Sequence, residues 1–353
     1  MKDPASSRRL QMLVAGIFWL LLLAAVPLAL AAPPPRPDAS STQVQALQRA
    51  GDAVVALRVT ATEGATSADS LGARRSGSGV VIGPDGLILT IGYLLLEAET
   101  IEVITQDDRT LPARQVAYDL ATGFGLLRPL VPLRDITPVP LAGVAGLNPG
   151  EPLLVATGGN SGTEVGFTRL LAVRPFSGYW EYHIESALFT SPPVPNHSGA
   201  PLFNRQGELL GIGSLFVLEK AAEGQEQRVI PGNMFVPVEL LRPVLDEMQA
   251  TGRTRASVRP WLGLSSSERD GHVQIVRVDR QGPALAAGLQ PGDVVLEVDG
   301  IQVATLEAFY KQLWKRPAPD AEVELTVQQG SETRKVRIHA VDRMKTLRKP
   351  AGI

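Results

Sequence analysis

Between Gln43 and Met248 the apolar residues come in short runs, each closed off by glycine or proline. AVVALRVTA (53–61), TIEVITQ (100–106), PLLVATGG (152–159) and ELLGIGSLFV (208–217) read as strands. SGVVIGPDGLILT (78–90) reads as strand, turn, strand, because Pro84 presets the bend and Gly86 supplies a positive φ. Many short strands with evenly spaced turns predict an all-β sandwich or barrel. PVELLRPVLDEMQATG (237–252) has helical periodicity and stops at a glycine, so it closes this first domain.

The last hundred residues follow another rhythm. RPWLGL (259–264), GHVQIVRVD (271–279), DVVLEVDGIQV (293–303) and EVELTVQQG (322–330) predict strands. TLEAFYKQLWKR (305–316) predicts an amphipathic helix, with Leu306, Phe309, Tyr310, Leu313 and Trp314 on one stripe. The expected organisation is a leader over 1–31, a proline-rich tether over 32–42, a β domain over 43–250, a basic polar linker over 251–258, a mixed α+β domain over 259–343 and a flexible basic tail over 344–353. No internal repeat is visible.

The leader sets the compartment. Lys2, Arg8 and Arg9 precede an uncharged run from Leu10 to Pro35, with an A-x-A-like site at Ala29-Leu30-Ala31. That is the form of a signal peptide, and the run is also long enough for an uncleaved anchor in the inner membrane. Under either reading the charge asymmetry leaves the rest of the chain outside the cytoplasm, periplasmic or secreted.

Composition mainly excludes. A net charge of −2 argues against a whole-surface attraction to nucleic acid, and no nucleic-acid partner is expected. The absence of cysteine removes disulfides, thiolate zinc sites and cysteine nucleophiles. His183, His197, His272 and His339 form no pair at metal-ligand spacing, so neither a metal nor another cofactor is expected.

Three segments in order, SGSGVVIGPDGLILT (76–90), DDRTLPARQVAYDLATGFGLL (107–127) and PNHSGAPLFNRQGELLGIG (195–213), resemble the HtrA/DegP-like serine proteases, as does GPALAAGLQPGDVVLEVDGIQV (282–303) in the C-terminal domain. The resemblance covers nearly everything from 43 to 343. It implies a mainly β, trypsin-like double antiparallel barrel followed by a PDZ domain, an endopeptidase activity, a trimeric homo-oligomer and a bacterial envelope location. It also implies site residues, and there this chain departs from the pattern. Ser198 matches the nucleophile. Tyr93 in TIGYLL stands where the family has histidine, and Gly123 in DLATGFGLL stands where it has aspartate. Asn196 replaces the glycine whose backbone N–H lines the oxyanion hole. A phenol is protonated at neutral pH and glycine has no side chain, so neither substitute does its predecessor's work. No histidine precedes His183 and no lysine lies between Lys2 and Lys220, which leaves His183 and His197 as candidates for a displaced base.

In a PDZ domain of this kind, backbone N–H groups cradle a peptide's terminal carboxylate and the peptide adds as a strand. The resemblance assigns the loop to Leu262, Gly263 and Leu264 and the pocket walls to Phe309 and Leu313, although the same apolar residues could simply fill the core. The expected function is a pseudoprotease that binds polypeptides or C-termini in protein quality control or as a scaffold. An active endopeptidase with a displaced base and a structural assembly subunit remain the alternatives.

Overall fold

The computed structural model describes residues 39–159, 162–220 and 229–349. The leader, and with it the choice between signal peptide and anchor, lies outside the described residues. Among those described, no helix is long and apolar enough to cross a membrane.

The first described element is a helix, α1 (Ala39–Asp52), which begins inside the stretch expected to be an extended tether. Pro37 is the last proline before Pro84, and the Gln, Ala, Leu and Arg residues that follow it are good helix formers. The strands β1 (Val54–Ala61), β2 (Arg74–Val81), β3 (Ile88–Ile91), β4 (Ala98–Ile104), β5 (Thr110–Tyr118) and β6 (Phe124–Pro129) then close a barrel in the order β1-β2-β3-β6-β5-β4. A second barrel is made of β7 (Pro152–Gly159), β8 (Gly162–Gly178), β9 (Tyr182–Ser191), β10 (Pro201–Phe203), β11 (Leu209–Lys220) and β12 (Val229–Pro237), in the order β10-β11-β12-β9-β8-β7. Closure leaves no exposed sheet edge in either barrel. One buried cluster runs through both, with Leu57, Ile88 and Phe124 from the first and Tyr182, Phe189 and Met234 from the second.

The helix expected over 237–252 is divided. A 3₁₀ turn, Val238–Leu240, is followed by α2 (Leu245–Thr251). Pro243 lies between them and has no N–H to continue a helix. The stop at Gly252 is as the sequence indicates: φ is 80° and its amide donates to the Met248 carbonyl.

The C-terminal domain is a sheet of β14 (Leu264–Arg269), β15 (His272–Val278), β16 (Val294–Val298), β18 (Glu322–Gln329) and β19 (Glu332–His339) in that order, with β17 (Ile301–Gln302) on β16. A small pair, β13 (Pro260–Trp261) with β20 (Val341–Asp342), lies apart from it. Asp270 and Gly271, both at positive φ, make the tight β14–β15 hairpin that the short SSSERDGH segment requires. Helix α3 (Leu306–Leu313) is capped by Thr305 Oγ1, which accepts the Ala308 amide, and it buries Leu306, Phe309, Tyr310 and Leu313. Strand β14 stands at the sheet's edge.

Two segments expected to be loose are packed. In the linker, Thr254 and Ser257 are buried against Asp119, whose Oδ1 accepts both hydroxyls. In the tail, helix α4 (Arg343–Thr346) follows β20, Met344 and Leu347 pack on Leu96, Tyr118 and Leu120, and the Arg348 amide donates to Glu97 Oε1 at 2.8 Å. Charge made both look solvated. The apolar and hydroxyl residues between the charges are what hold them down.

Candidate active site and carboxylate-binding loop

Ser198 lies in the loop between β9 and β10, and Tyr93 in the 3₁₀ turn Gly92–Leu95 that follows β3. The serine loop is fastened to the first barrel: the Ser78 amide donates to the Ser198 carbonyl at 2.9 Å. Gly199 has φ 74°, and a Cβ there would lie 2.1 Å from the Ser78 carbonyl oxygen, so only glycine fits. Gly92 is equally confined, because a Cβ would fall 2.2 Å from the Tyr118 ring.

This docking brings the Tyr93 hydroxyl 2.7 Å from Ser198 Oγ and 2.9 Å from the Ser214 carbonyl. A carbonyl only accepts, so the phenolic proton serves Ser214 or Ser198, and among the described residues a neutral phenol oxygen is the one acceptor offered to the serine proton. Burial pushes the Tyr93 pKa up to about 12, with the contact to Ser198 pulling weakly the other way. At pH 7 the phenolate fraction is then about 10⁻⁵, a cost of roughly 7 kcal/mol before any chemistry starts.

Neither candidate for a displaced base is a hydrogen-bond partner of Ser198 among the described residues. His183 Nδ1 sits 2.9 Å from Ser177 Oγ, and Nε2 faces Glu185 at 3.5 Å. The His197 pKa is lowered by burial, against a hydrogen bond to the Val194 backbone. His272 and His339 lie on β15 and β19 of the C-terminal domain. Gly123 has φ 83°, and a Cβ there would come within 3.2 Å of the Tyr182 hydroxyl. The Tyr182 hydroxyl donates to the Thr122 carbonyl at 2.6 Å, so an aromatic occupies the space a side chain at 123 would enter. Asn196 adopts φ 57°, a conformation asparagine tolerates better than most residues.

The second site is the loop Leu262, Gly263, Leu264, and it is filled. Gly263 and Leu264 each donate a backbone N–H to Glu181 Oε1 at 2.9 Å, and Leu262 reaches Oε2 at 3.1 Å. Glu181 sits at the tip of the β8–β9 hairpin with φ 57°, fully enclosed. Burial pushes its pKa up to about 7, while the three amides and Arg343 pull it down. The Arg259 guanidinium lies 3.5 Å over the Trp314 ring and donates to the Glu181 carbonyl at 3.2 Å. Its own pKa is lowered by burial to about 10, with Glu181 opposing. Phe309 and Leu313 are fully buried in the core of this domain, so as walls they present nothing open in this conformation. The sequence reading missed Glu181. Its one signal was an acidic residue between aromatics in YWEYHIES, at what proves to be a hairpin tip.

His183, Glu185 and Glu307 bring ligand atoms within 4.8 Å of one another. The Lys311 ammonium, however, lies 2.7 Å from both carboxylates and already supplies the positive charge there.

Two closed barrels with a serine loop between them, followed by this six-stranded sheet and helix, define a trypsin-like peptidase domain joined to a PDZ domain. The family of trypsin-like peptidase domains matches residues 77–212, and the PDZ domain family matches residues 260–340. The chain belongs to the HtrA-like proteins. It is 30% identical over 290 residues to a probable periplasmic serine endoprotease DegP-like of Halomonas elongata, covering 76% of this chain and 57% of the relative. A protein of the same description from Pseudomonas fulva is 29% identical, with 75% and 56% covered. The chain therefore spans little more than half the length of these curated relatives. The serine endoprotease DegS of Haemophilus influenzae is 26% identical, with 73% and 75% covered. Among solved structures, the HtrA-type protease AlgW with decapeptide shares the fold at a TM-score of 0.52 and 21% identity, with 87% of this chain and 99% of that one aligned.

Proposed function

We propose that this protein is an envelope pseudoprotease that recognises polypeptides, and C-termini in particular, through its PDZ domain. It would act outside the cytoplasm, scaffolding partners or contributing to protein quality control. The observation that carries the non-catalytic half is the phenol beside Ser198: with Tyr93 raised by burial to about 12, the side chain that pairs with the serine among the described residues is not a base at physiological pH. The peptide-binding half is supported by three consecutive amides, at Leu262, Gly263 and Leu264, that converge on a carboxyl group. The relatives named above as periplasmic support the location, and the family resemblance supports a trimer.

The test uses the full chain. A fluorophosphonate probe is expected to leave Ser198 unlabelled at pH 7–8, with Ser198→Ala as the blank, and an array of free-carboxylate decapeptides is expected to give measurable binding. Stoichiometric labelling of Ser198 would establish the active-endopeptidase alternative. Absence of binding across the array, together with a fixed co-purifying partner, would favour the structural-subunit alternative.

A further inference from the structure

We propose that the β8–β9 hairpin is the resident ligand of the PDZ groove, with the Glu181 side chain held where a bound peptide would place its terminal carboxylate. The inference rests on the peptide-binding reading above and adds how that site is regulated: an incoming C-terminus must displace the hairpin.

The hairpin meets the domain in the same places that strand-adding peptides do. Its carboxyl group takes the amides of Leu262, Gly263 and Leu264. Two residues earlier, the Tyr179 carbonyl accepts the Ser266 amide at 2.8 Å, a ladder-type bond on the edge strand β14. From the opposite wall, the Tyr310 hydroxyl of α3 donates to the Gly178 carbonyl at 2.8 Å and accepts the Glu181 amide at 3.3 Å. Lys311, on the next turn position of α3, pairs with Glu185 on β9. A carboxyl in the loop, a carbonyl two residues upstream on the edge strand and a tip lying against the helix reproduce a bound C-terminus with a side chain in place of the chain end.

The contact is specific to this geometry. Glu181 needs φ 57° to turn its side chain into the loop, a conformation that disfavours side-chain-bearing residues and that its docked contacts compensate. Gly263 holds φ 80°, and a Cβ on it would come 2.9 Å from Gly282 Cα, so the amide cradle itself is built tightly. The protein therefore exists as docked and released forms, and only the released form offers an empty cradle. The apparent affinity for a free C-terminus is the intrinsic one reduced by the released fraction.

The experiment compares full-length wild type with Glu181→Ala on an array of free-carboxylate decapeptides and their C-terminally amidated twins, and follows amide hydrogen exchange at 262–264. The variant is expected to bind free-carboxylate peptides at least about tenfold more tightly, as a hairpin docked in nine molecules of ten requires. Amidated twins should bind neither protein, and amides 262–264 should exchange faster in the variant. Should the alanine variant fail to fold, Glu181→Gly removes the same carboxyl, suits the φ of 57° and serves the same comparison. Equal affinities of variant and wild type for free carboxylates overturn the proposal and leave the peptide-binding reading intact. Failure of both proteins to bind any peptide overturns that reading and this proposal with it.

Discussion

The hydroxyl of Tyr93 stands 2.7 Å from Oγ of Ser198, a contact between the turn after β3 in one barrel and the nucleophile loop of the other. With the Ser214 carbonyl at 2.9 Å, it forms a small clasp between the two barrels. Under the non-catalytic reading proposed above, the clasp contributes to stability and not to the reactivity of Ser198. Tyr93→Phe is therefore expected to destabilise by about 1–2 kcal/mol, the cost of leaving Ser214 and Ser198 short of a partner. That is a fall of roughly 2–8 °C in melting temperature for a protein of this size. Fluorophosphonate labelling of Ser198 should stay at its baseline. A variant as stable as wild type but newly altered in labelling would mean that the phenol acts on the serine chemically.

The serine loop's rigidity gives a second expectation. Gly199 and Gly271 both hold positive φ, at 74° and 73°, but a Cβ at 199 meets the Ser78 carbonyl at 2.1 Å while one at 271 meets nothing within 4 Å. Gly271→Ala should cost only the left-handed backbone penalty, roughly 1–2 kcal/mol. Gly199→Ala adds an unrelievable backbone clash and should lose several kcal/mol more, seen in chemical denaturation or in failure to accumulate as soluble protein. Equal losses would mean that the loop gives way and is not fixed to the first barrel.

The architecture was legible because its signals are local. Alternating apolar runs, the GPDG turn and the α3 stripe each specify their own element, and the order of motifs supplied the rest. What the sequence concealed depends on distant pairs. Glu181 reads as one more acidic residue until the hairpin tip and the 262–264 loop, far apart in the chain, come together. Thr254 and Ser257 read as polar linker until Asp119 is placed opposite them. The amphipathic helix expected over 305–316 forms over 306–313, but periodicity does not tell whether Phe309 and Leu313 face a groove or the core, because both lie on the same stripe. The break at Pro243 is legible in the sequence, since proline has no N–H to continue a helix, but the apolar spacing around it reads as one unbroken helix.

Asp119 joins the linker to the first barrel. Its Oδ1 accepts the hydroxyls of Thr254 and Ser257, and its Oδ2 accepts the amide of Thr122 at 2.8 Å and its hydroxyl at 2.6 Å. Asp119→Ala would orphan several buried donors together, at a cost on the order of 3 kcal/mol or more. Because the partners lie in 254–257, the loss should be local before it is global. Limited proteolysis is expected to cut near Arg253 or Arg255 in the variant at protease concentrations that leave wild type whole. An unchanged cleavage pattern with lowered global stability would place Asp119 in the barrel alone.

The last expectation concerns pH and Glu181. Its carboxyl moves from an ordinary value of 4.5 to about 7 on docking, because burial outweighs the help of the three loop amides and Arg343. Arg259 and Tyr310 face the same group, and no other carboxyl touches it among the hydrogen bonds described. Folding and docking therefore take up a proton between these two values. Glu181's contribution is fully present below about pH 4.5 and is lost as pH rises through about 7, a change on the order of 3 kcal/mol across that window. Wild type should accordingly lose stability relative to Glu181→Gln as denaturation is measured from pH 4.5 to 7.5, since the glutamine variant has no proton to lose. The same change makes the hairpin easiest to displace at neutral pH. A terminal carboxylate arriving from solvent would then compete with a side chain whose charged form is held at a desolvation cost. The opposite trend, wild type gaining on the glutamine variant as pH rises, would mean that the amide cradle outweighs burial and holds the hairpin most firmly where the carboxyl is ionised.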